Sequence, residues 1–321
     1  MTRKGRGRFW SWIVALPLAA FLLYWSLRGV DWKSVWTTLV GARWGFVAVA
    51  FAVVFVSFFL RALRWRILLN AGGNLPVGAV FCATMAGYLG NAFLPARAGE
   101  VVRTLVVSGQ SSLTKTYVLT TALCERLMDV IALVLWASLI LLGVHPKPGW
   151  MGGMARTMAV AAGFGAVTIA VLPHTGDLCQ RLLRRMPLPQ ALRDRLIGLA
   201  GQVLLGMRAF HHTGRFLSFA AFTVVIWVSD AIGVMAWTHS LGLAVSFPMA
   251  MLLLTGLGLG SALPSTPGYL GIYQFVAVTV LVPLGITKSG ALAFILLMQA
   301  GGYIATLLLG LPCMYILRSN R

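Results

Sequence analysis

From residue 44 to residue 60 the chain runs without a single charged side chain, and the run is almost wholly apolar. Mainly apolar stretches recur at about 117–143, 157–173, 216–238 and 289–317, with another from Phe9 to Leu27. A helix needs about 20 apolar residues to cross a bilayer core. Inside that core every backbone N–H and C=O must be satisfied within the segment, so such runs fold as helices. The expected fold class is therefore all-α, a polytopic integral membrane protein. Composition agrees: 59% of residues are hydrophobic and 10% charged, against roughly 45–50% and 25% in soluble domains. A soluble globular protein, a disordered chain and a disulfide scaffold are excluded.

The formal net charge is +19. Beside membrane spans such an excess faces anionic lipid, not nucleic acid. Cys82, Cys124, Cys179 and Cys313 are scattered without a C-x-x-C and read as small apolar fillers. His211–His212 has no acid or cysteine at ligand spacing, so no metal site and no cofactor are expected.

The first run follows Arg3, Lys4, Arg6 and Arg8. That pattern also resembles a signal peptide, but no small-x-small cleavage site follows, and a retained first helix is expected. Two further apolar segments, 76–108 and 248–285, are interrupted near their middles by Pro, Gly and polar residues. If the N-terminus is cytoplasmic and each interrupted segment returns to its starting side, cytoplasmic segments hold 16 Lys and Arg and external loops hold 6. Arg61, Arg64 and Arg66 count among the cytoplasmic residues. The bias obeys the positive-inside rule. The expectation is one transmembrane domain over 1–321. It has six full spans and two re-entrant, broken hairpins, about eight hydrophobic units, with both termini cytoplasmic. Residues 174–215 form the one sizeable loop. Leu192, Leu196, Leu199, Val203 and Phe210 recur there at helical spacing beside Arg193, Arg195 and Arg208. This helix either lies on the cytoplasmic interface or packs between spans.

The two interruptions share a pattern. Leu94-Pro95-Ala96-Arg97-Ala98-Gly99 and Leu263-Pro264-Ser265-Thr266-Pro267-Gly268 are both L-P-x-x-x-G, each after a run of small residues. Proline removes a backbone donor and glycine permits turns forbidden to side chains. With hairpins opening to opposite sides, the pair reads as the inverted repeat of a transporter. Chance recurrence in a chain with 35 glycines is the alternative.

Four of the seven acids fall in membrane segments: Glu100, Glu125, Asp129 and Asp230. Arg97, Arg103 and Arg126 accompany them. A charge at bilayer depth is unfavourable by at least about 2.5–3.5 kcal/mol and persists only if paired, hydrated or used. Arg97, Glu100 and Arg103 drift around one side of a helix, while Glu125 and Asp129 share a face at i, i+4. One reading is a buried ion network, Arg103 with Glu125 or Asp129 and Arg126 with Glu100. The other is a phosphate site, in which Arg97, Arg103 and the N–H groups of a helix starting near Pro95 hold the anion. Asp230 either pairs with Arg97 or carries a proton.

The stretches G-Y-L-G-N-A-F-L-P-A-R-A-G-E-V-V-R (87–103), C-E-R-L-M-D (124–129) and L-P-S-T-P-G-Y-L-G-I-Y-Q (263–274) resemble the lysylphosphatidylglycerol synthase transmembrane region family. That family includes the flippase half of bacterial multiple peptide resistance factors. The resemblance implies lipid translocation between leaflets of the bacterial cytoplasmic (inner) membrane. It also assigns Asn91, Pro95, Arg97, Gly99, Glu100 and Arg103 to the first motif. Glu125, Arg126 and Asp129 match the second, and Pro264, Pro267, Gly268 and Gly271 the third. The third motif usually reads P-G-G-x-G followed by an acid, whereas this chain has Tyr269 and Gln274. The aminoacyl-transferase domain of bifunctional relatives is not in these residues, so no enzymatic activity is expected. Membrane lipids are the expected partners: an anionic or modified phospholipid, a polyprenyl-linked sugar or a hopanoid-type lipid. Asn91, Arg97, Glu100, Arg103, Glu125, Arg126, Asp129 and Asp230 are the candidate substrate-binding residues. A membrane glycosyltransferase and an accessory scaffold are the alternatives. Gly301-Gly302 can pack helices within one protomer or between two.

Overall fold

In a computed structural model the chain is all-α. The described residues are 16–94, 98–143, 190–207, 210, 212–261 and 266–319, with Thr157, Val160, Gly163, Phe164 and Val167 between. Eleven α-helices are described. They are α1 (Leu16–Leu27), α2 (Trp32–Val40), α3 (Trp44–Leu69), α4 (Val77–Phe93), α5 (Gly99–Gly109), α6 (Lys115–Gly143), α7 (Gln190–Met207), α8 (Thr213–Ser240), α9 (Phe247–Ser261), α10 (Ile272–Leu281) and α11 (Lys288–Ser319). Short 3-10 turns cover Pro267–Tyr269 and Val282–Leu284.

Helices α3, α8 and α11, with 26, 28 and 32 residues, are long and apolar enough to cross a bilayer. At 1.5 Å per residue α3 alone reaches about 39 Å, beyond the roughly 30 Å hydrocarbon core. Helix α6 has 29 residues, but Glu125, Arg126 and Asp129 interrupt its apolar character. The shorter apolar helices are α1, α4, α9 and the segment Ile272–Leu284. This is the architecture of an integral membrane protein. The expected span 157–173 and the stretch 174–189 fall largely outside the described residues.

One expectation is corrected. Helix α3 does not stop at residue 60 but runs on to Leu69, so Arg61, Arg64 and Arg66 belong to the same helix as the apolar run. Apolar Ile67, Leu68 and Leu69 follow the arginines, and Leu68 and Leu69 are fully buried. The helix continues because these side chains have a core to enter.

The described helices fall into two compact units. The first draws on Met1–Phe58, Met85–Gly99 and Ile226–Arg321. In it α9 packs on α10, α10 on α11, and α2 on α11. A Cβ on Gly260 would come within 2.8 Å of Ile272 Cγ2, so glycine sets the close approach of α9 and α10. At one end of this unit the Arg43 N–H donates to Ser240 O at 2.8 Å, and Lys288 Nζ donates to Arg28 O at 2.6 Å. The starts of α3 and α11 are thereby tied to the ends of α8 and α1.

The second unit draws on Phe59–Thr84 and Glu100–Val225. Trp65, Leu69, Leu75, Val80, Ala83, Val107, Leu113, Tyr117 and Val118 form its apolar core. Val80 and Ala83 lie on α4 and Val107 on α5, so the two arms of the first hairpin meet there. The Tyr117 hydroxyl donates at 2.9 Å to Leu68 O, a carbonyl near the end of α3 that also accepts the Ala71 N–H at 3.2 Å. Helix α7 packs along α6. Leu204, on this Gln190–Met207 helix, is buried.

Both expected interruptions are present as breaks between helices. Helix α4 ends at Phe93 and α5 starts at Gly99; α9 ends at Ser261 and α10 starts at Ile272. Pro95, Arg97 and Pro264 lie outside the described residues.

Candidate functional site

The charges predicted on α5 and α6 come together, and their organiser is Arg64 of α3. Its Nη1 donates to Asp129 Oδ1 at 2.6 Å and to Thr223 Oγ1 at 3.1 Å. Its Nη2 donates to Glu125 Oε1 and Asp129 Oδ2, both at 3.0 Å. Glu125 and Asp129 are one turn apart on α6, so a single planar fork meets both. The Arg64 guanidinium also lies 5.1 Å from the centre of the Phe219 ring.

Arg103 of α5 takes the other side of Glu125. Its Nη1 donates to Glu125 Oε2 at 2.8 Å, and its guanidinium stacks 4.4 Å from the Trp65 ring. Trp65 is itself fully buried, with its indole N–H on Thr121 Oγ1 at 3.2 Å. Glu100 contacts two arginines: Oε2 lies 2.5 Å from Arg103 Nη2, and Oε1 accepts from Arg126 Nε at 3.0 Å. Arg126 Nη1 reaches Asp129 Oδ2 at 3.4 Å, and Arg61 Nη1 lies 3.9 Å from the same oxygen.

The network has an inside and an edge. Arg64, Arg103 and Glu125 have side chains at most 2% exposed. Arg126 is 25% exposed, Glu100 13% and Arg61 12%. Charges that deep persist only with close partners, and removal of one partner leaves the other stranded. Arg64, Arg103 and Glu125 therefore hold α3, α5 and α6 together, while Arg61, Arg126 and Glu100 form the less buried side of the network.

The pairs Arg103–Glu125 and Arg126–Glu100 are those the spacing anticipated. Arg64 and Arg61 were missed because they were counted among the cytoplasmic residues beyond an apolar run ending at residue 60. The signal was present: Ile67-Leu68-Leu69 continues the apolar run, and three membrane acids need counter-charges.

Asn91 and Asp230 belong to the first unit. Asn91 Oδ1 accepts the Gly99 N–H at 3.0 Å and closes the first break. A Cβ on Gly99 would collide with Gly87 O and the Asn91 side chain, so only glycine fits there. Asp230 Oδ1 accepts from Ser57 Oγ at 2.6 Å. The expected pairing with Arg97 falls outside the described residues.

The second break is held by neutral groups. The Gly271 N–H donates to Gln274 Oε1 at 2.8 Å, and Gln274 Nε2 donates to Gln299 Oε1 at 2.5 Å. Gln299 Nε2 and the Tyr303 hydroxyl both donate to Gly268 O, at 3.1 and 2.7 Å. Gly268 and Gly271 have φ of +68° and +89°, and Tyr269 between them has +62°. Tyr269 stacks on Tyr273 with ring centres 5.0 Å apart. Gln274, standing where an acid was anticipated in relatives, thus caps α10 and fixes the loop. Among the described residues no cluster of His, Cys, Asp or Glu has the makings of a metal site.

Long apolar helices, two helix breaks and a buried, paired charge network belong to an all-α integral membrane protein. The sequence matches the family described as "Lysylphosphatidylglycerol synthase TM region" over residues 12–310, and the chain belongs to that family. It also resembles a protein of Haloferax volcanii named Glycosyltransferase AglD, with 28% identity over 159 residues. That match covers 49% of this chain and spans 24% of the length of the relative.

Proposed function

We propose that the chain is a lipid flippase of the bacterial inner membrane, moving a phosphate-containing polar lipid between leaflets. The observation that carries this reading is the charge network with an accessible edge, set among helices of a membrane protein. Charged groups in such a place are unfavourable unless they are structural or handle something polar. Here the network divides into a sealed part and an edge built of Arg61, Arg126 and Glu100. Arginine at the edge offers forked donors that match phosphate oxygens, while lipid tails remain in the bilayer. Arg97 keeps its assignment as a phosphate-binding residue from sequence alone.

The same proposal includes the topology: one transmembrane domain, six spans, two re-entrant hairpins forming an inverted repeat, and cytoplasmic termini. It is supported by the two broken helices and by the excess of Lys and Arg in the segments assigned to the cytoplasm.

The test is reconstitution into vesicles carrying fluorescent lipid, with the outer leaflet bleached by dithionite. Vesicles with protein should bleach beyond the outer-leaflet fraction, and protein-free vesicles should not. Identical traces would end the flippase reading. The second reading, a membrane glycosyltransferase, is supported by the name of the Haloferax volcanii relative. It requires sugar transfer from a polyprenyl-phosphate sugar to a lipid acceptor, measurable on the same samples.

A further inference from the structure

We infer that α2 is an interfacial helix whose exposed apolar face seats on an anionic lipid surface, at the level where headgroups meet acyl chains. The inference concerns the first unit alone and does not depend on what the chain transports. Helix α2 has nine residues and connects α1 to α3, which is long and apolar enough to cross a bilayer. At about 100° per residue its side chains sort into three sectors. Val35 is buried, and Ser34, Thr38 and Leu39 are partly buried, on the side turned to the protein, where α2 packs on α11. Trp32, Trp36 and Val40, at i, i+4 and i+8, form an apolar stripe, each more than half exposed. Lys33 and Thr37 continue the exposed arc beyond that stripe and are polar. A helix with protein on one side, apolar residues on the next and polar residues on the third suits a boundary with lipid below and water above.

Two observations commit this face to an anionic lipid surface and not to another protein. The first is the kind of apolar residue. Trp25, in the last turn of α1, and Trp44, the first residue of α3, are also more than half exposed, so the two helix ends that α2 joins carry indoles as well. An indole has an apolar body and one N–H, and it is favoured at headgroup level. The second is charge. Between Trp25 and Trp44 the chain has three basic residues, Arg28, Lys33 and Arg43, all exposed, and one acid, Asp31. The Asp31 carboxylate is engaged as the cap of α2, accepting the Lys33 and Ser34 N–H groups at 3.0 and 3.2 Å. Basic side chains interleaved with indoles complement a negatively charged surface. The platform is also fixed in place. Lys288 Nζ donates to Arg28 O at 2.6 Å and to Trp25 O at 3.4 Å, and Ser289 Oγ donates to Asp31 O at 3.4 Å. These bonds pin the main chain of the turn to the start of α11, so the stripe keeps one facing and little order is lost on binding.

The experiment uses the full chain in bilayers of phosphatidylcholine and phosphatidylglycerol, with bromine on the acyl chains of one lipid at a time as a contact quencher of indole fluorescence. The difference between the wild type and Trp32→Phe with Trp36→Phe reports these two indoles among the 11 tryptophans. Their emission should be quenched more by bromine near the headgroup end of the acyl chain than by bromine near its methyl end. At equal mole fraction, brominated phosphatidylglycerol should quench them about threefold more than brominated phosphatidylcholine. Arg28→Gln, Lys33→Gln and Arg43→Gln together should abolish that preference. If the triple variant does not fold, Lys33→Gln alone, at an exposed position, should lower it.

Quenching by aqueous iodide in place of the brominated lipids would put the stripe in water and overturn the inference. Quenching by neither would mean that another protein segment or a second copy covers the face, and would overturn it as well. So would equal quenching by the two brominated lipids, or a phosphatidylglycerol preference unmoved by the Gln substitutions. None of these outcomes bears on translocation, so the flippase reading stands or falls by its own assay.

Discussion

Arg64 and Asp129 are 65 residues apart in the chain and 2.6 Å apart in space, joined by a guanidinium that nothing from outside reaches. The same fork holds Glu125, so one side chain of α3 neutralises much of the charge on α6. Replacing Arg64 by Leu takes from Asp129 its closest partner and from Glu125 one of its two arginines. The expected loss is about 3–5 kcal/mol, with a marked fall in apparent Tm of the solubilised protein. Lysine at this position should recover only part, because it cannot make the four-contact fork. A Leu variant melting with the wild type would refute the organising role of Arg64.

Gly99 and Asn91 form the closure of the first break. Gly99→Ala places a methyl group against Gly87 O and the Asn91 amide, so α4 and α5 must separate. Asn91→Ala only leaves the Gly99 N–H without its acceptor, an effect of about 1–3 kcal/mol. Thermal unfolding of the two variants should therefore rank Gly99→Ala as the more damaging. The reverse order would mean that the close approach is dispensable.

Tyr269 is held at φ +62° between two glycines that also have positive φ. For an ordinary residue that conformation is unfavourable by roughly 1–2 kcal/mol, while an aromatic pair contributes about 0.5–1.5 kcal/mol. Tyr269→Gly loses the stack on Tyr273 but relieves the backbone, and should melt within about a degree or two of the wild type. Tyr269→Ala loses the stack and keeps the strain, so it should melt below both. Equal melting of the Gly and Ala variants would show that the backbone is not strained there.

Gln274 completes a chain of neutral hydrogen bonds that ends on Gly268 O. Gln274→Leu has a similar volume but leaves the Gly271 N–H and Gln299 Oε1 without this partner. Each buried group left so is worth about 1–3 kcal/mol. Limited proteolysis should then cut between residues 262 and 275 faster than in the wild type, with α11 unaffected. Unchanged cleavage would place the stability of this loop elsewhere.

Much of the architecture was written locally. Apolar run length announced membrane helices, and proline and glycine announced both breaks. The i, i+4 spacing put Glu125 and Asp129 on one face. The same local rules paired Arg103 with Glu125 or Asp129 and Arg126 with Glu100, because acids at that depth require nearby cations and the second helix was close in sequence.

What only the tertiary structure decided is which distant cation answers which acid, and which charges are sealed. Arg64 looked like a basic residue at a membrane boundary; packing against Phe219 and α6 made it the most buried member of the network. Arg103 looked like a ligand-binding residue, and Trp65 and Glu125 enclosed it. The 174–215 segment was equally suited to an interface or to a neighbour, and for Gln190–Met207 the neighbour is α6. Helical periodicity is set by the residues a few positions away, so it can be read along the chain. Burial and counter-charge depend on helices brought together from tens of residues apart, and no local pattern encodes that choice.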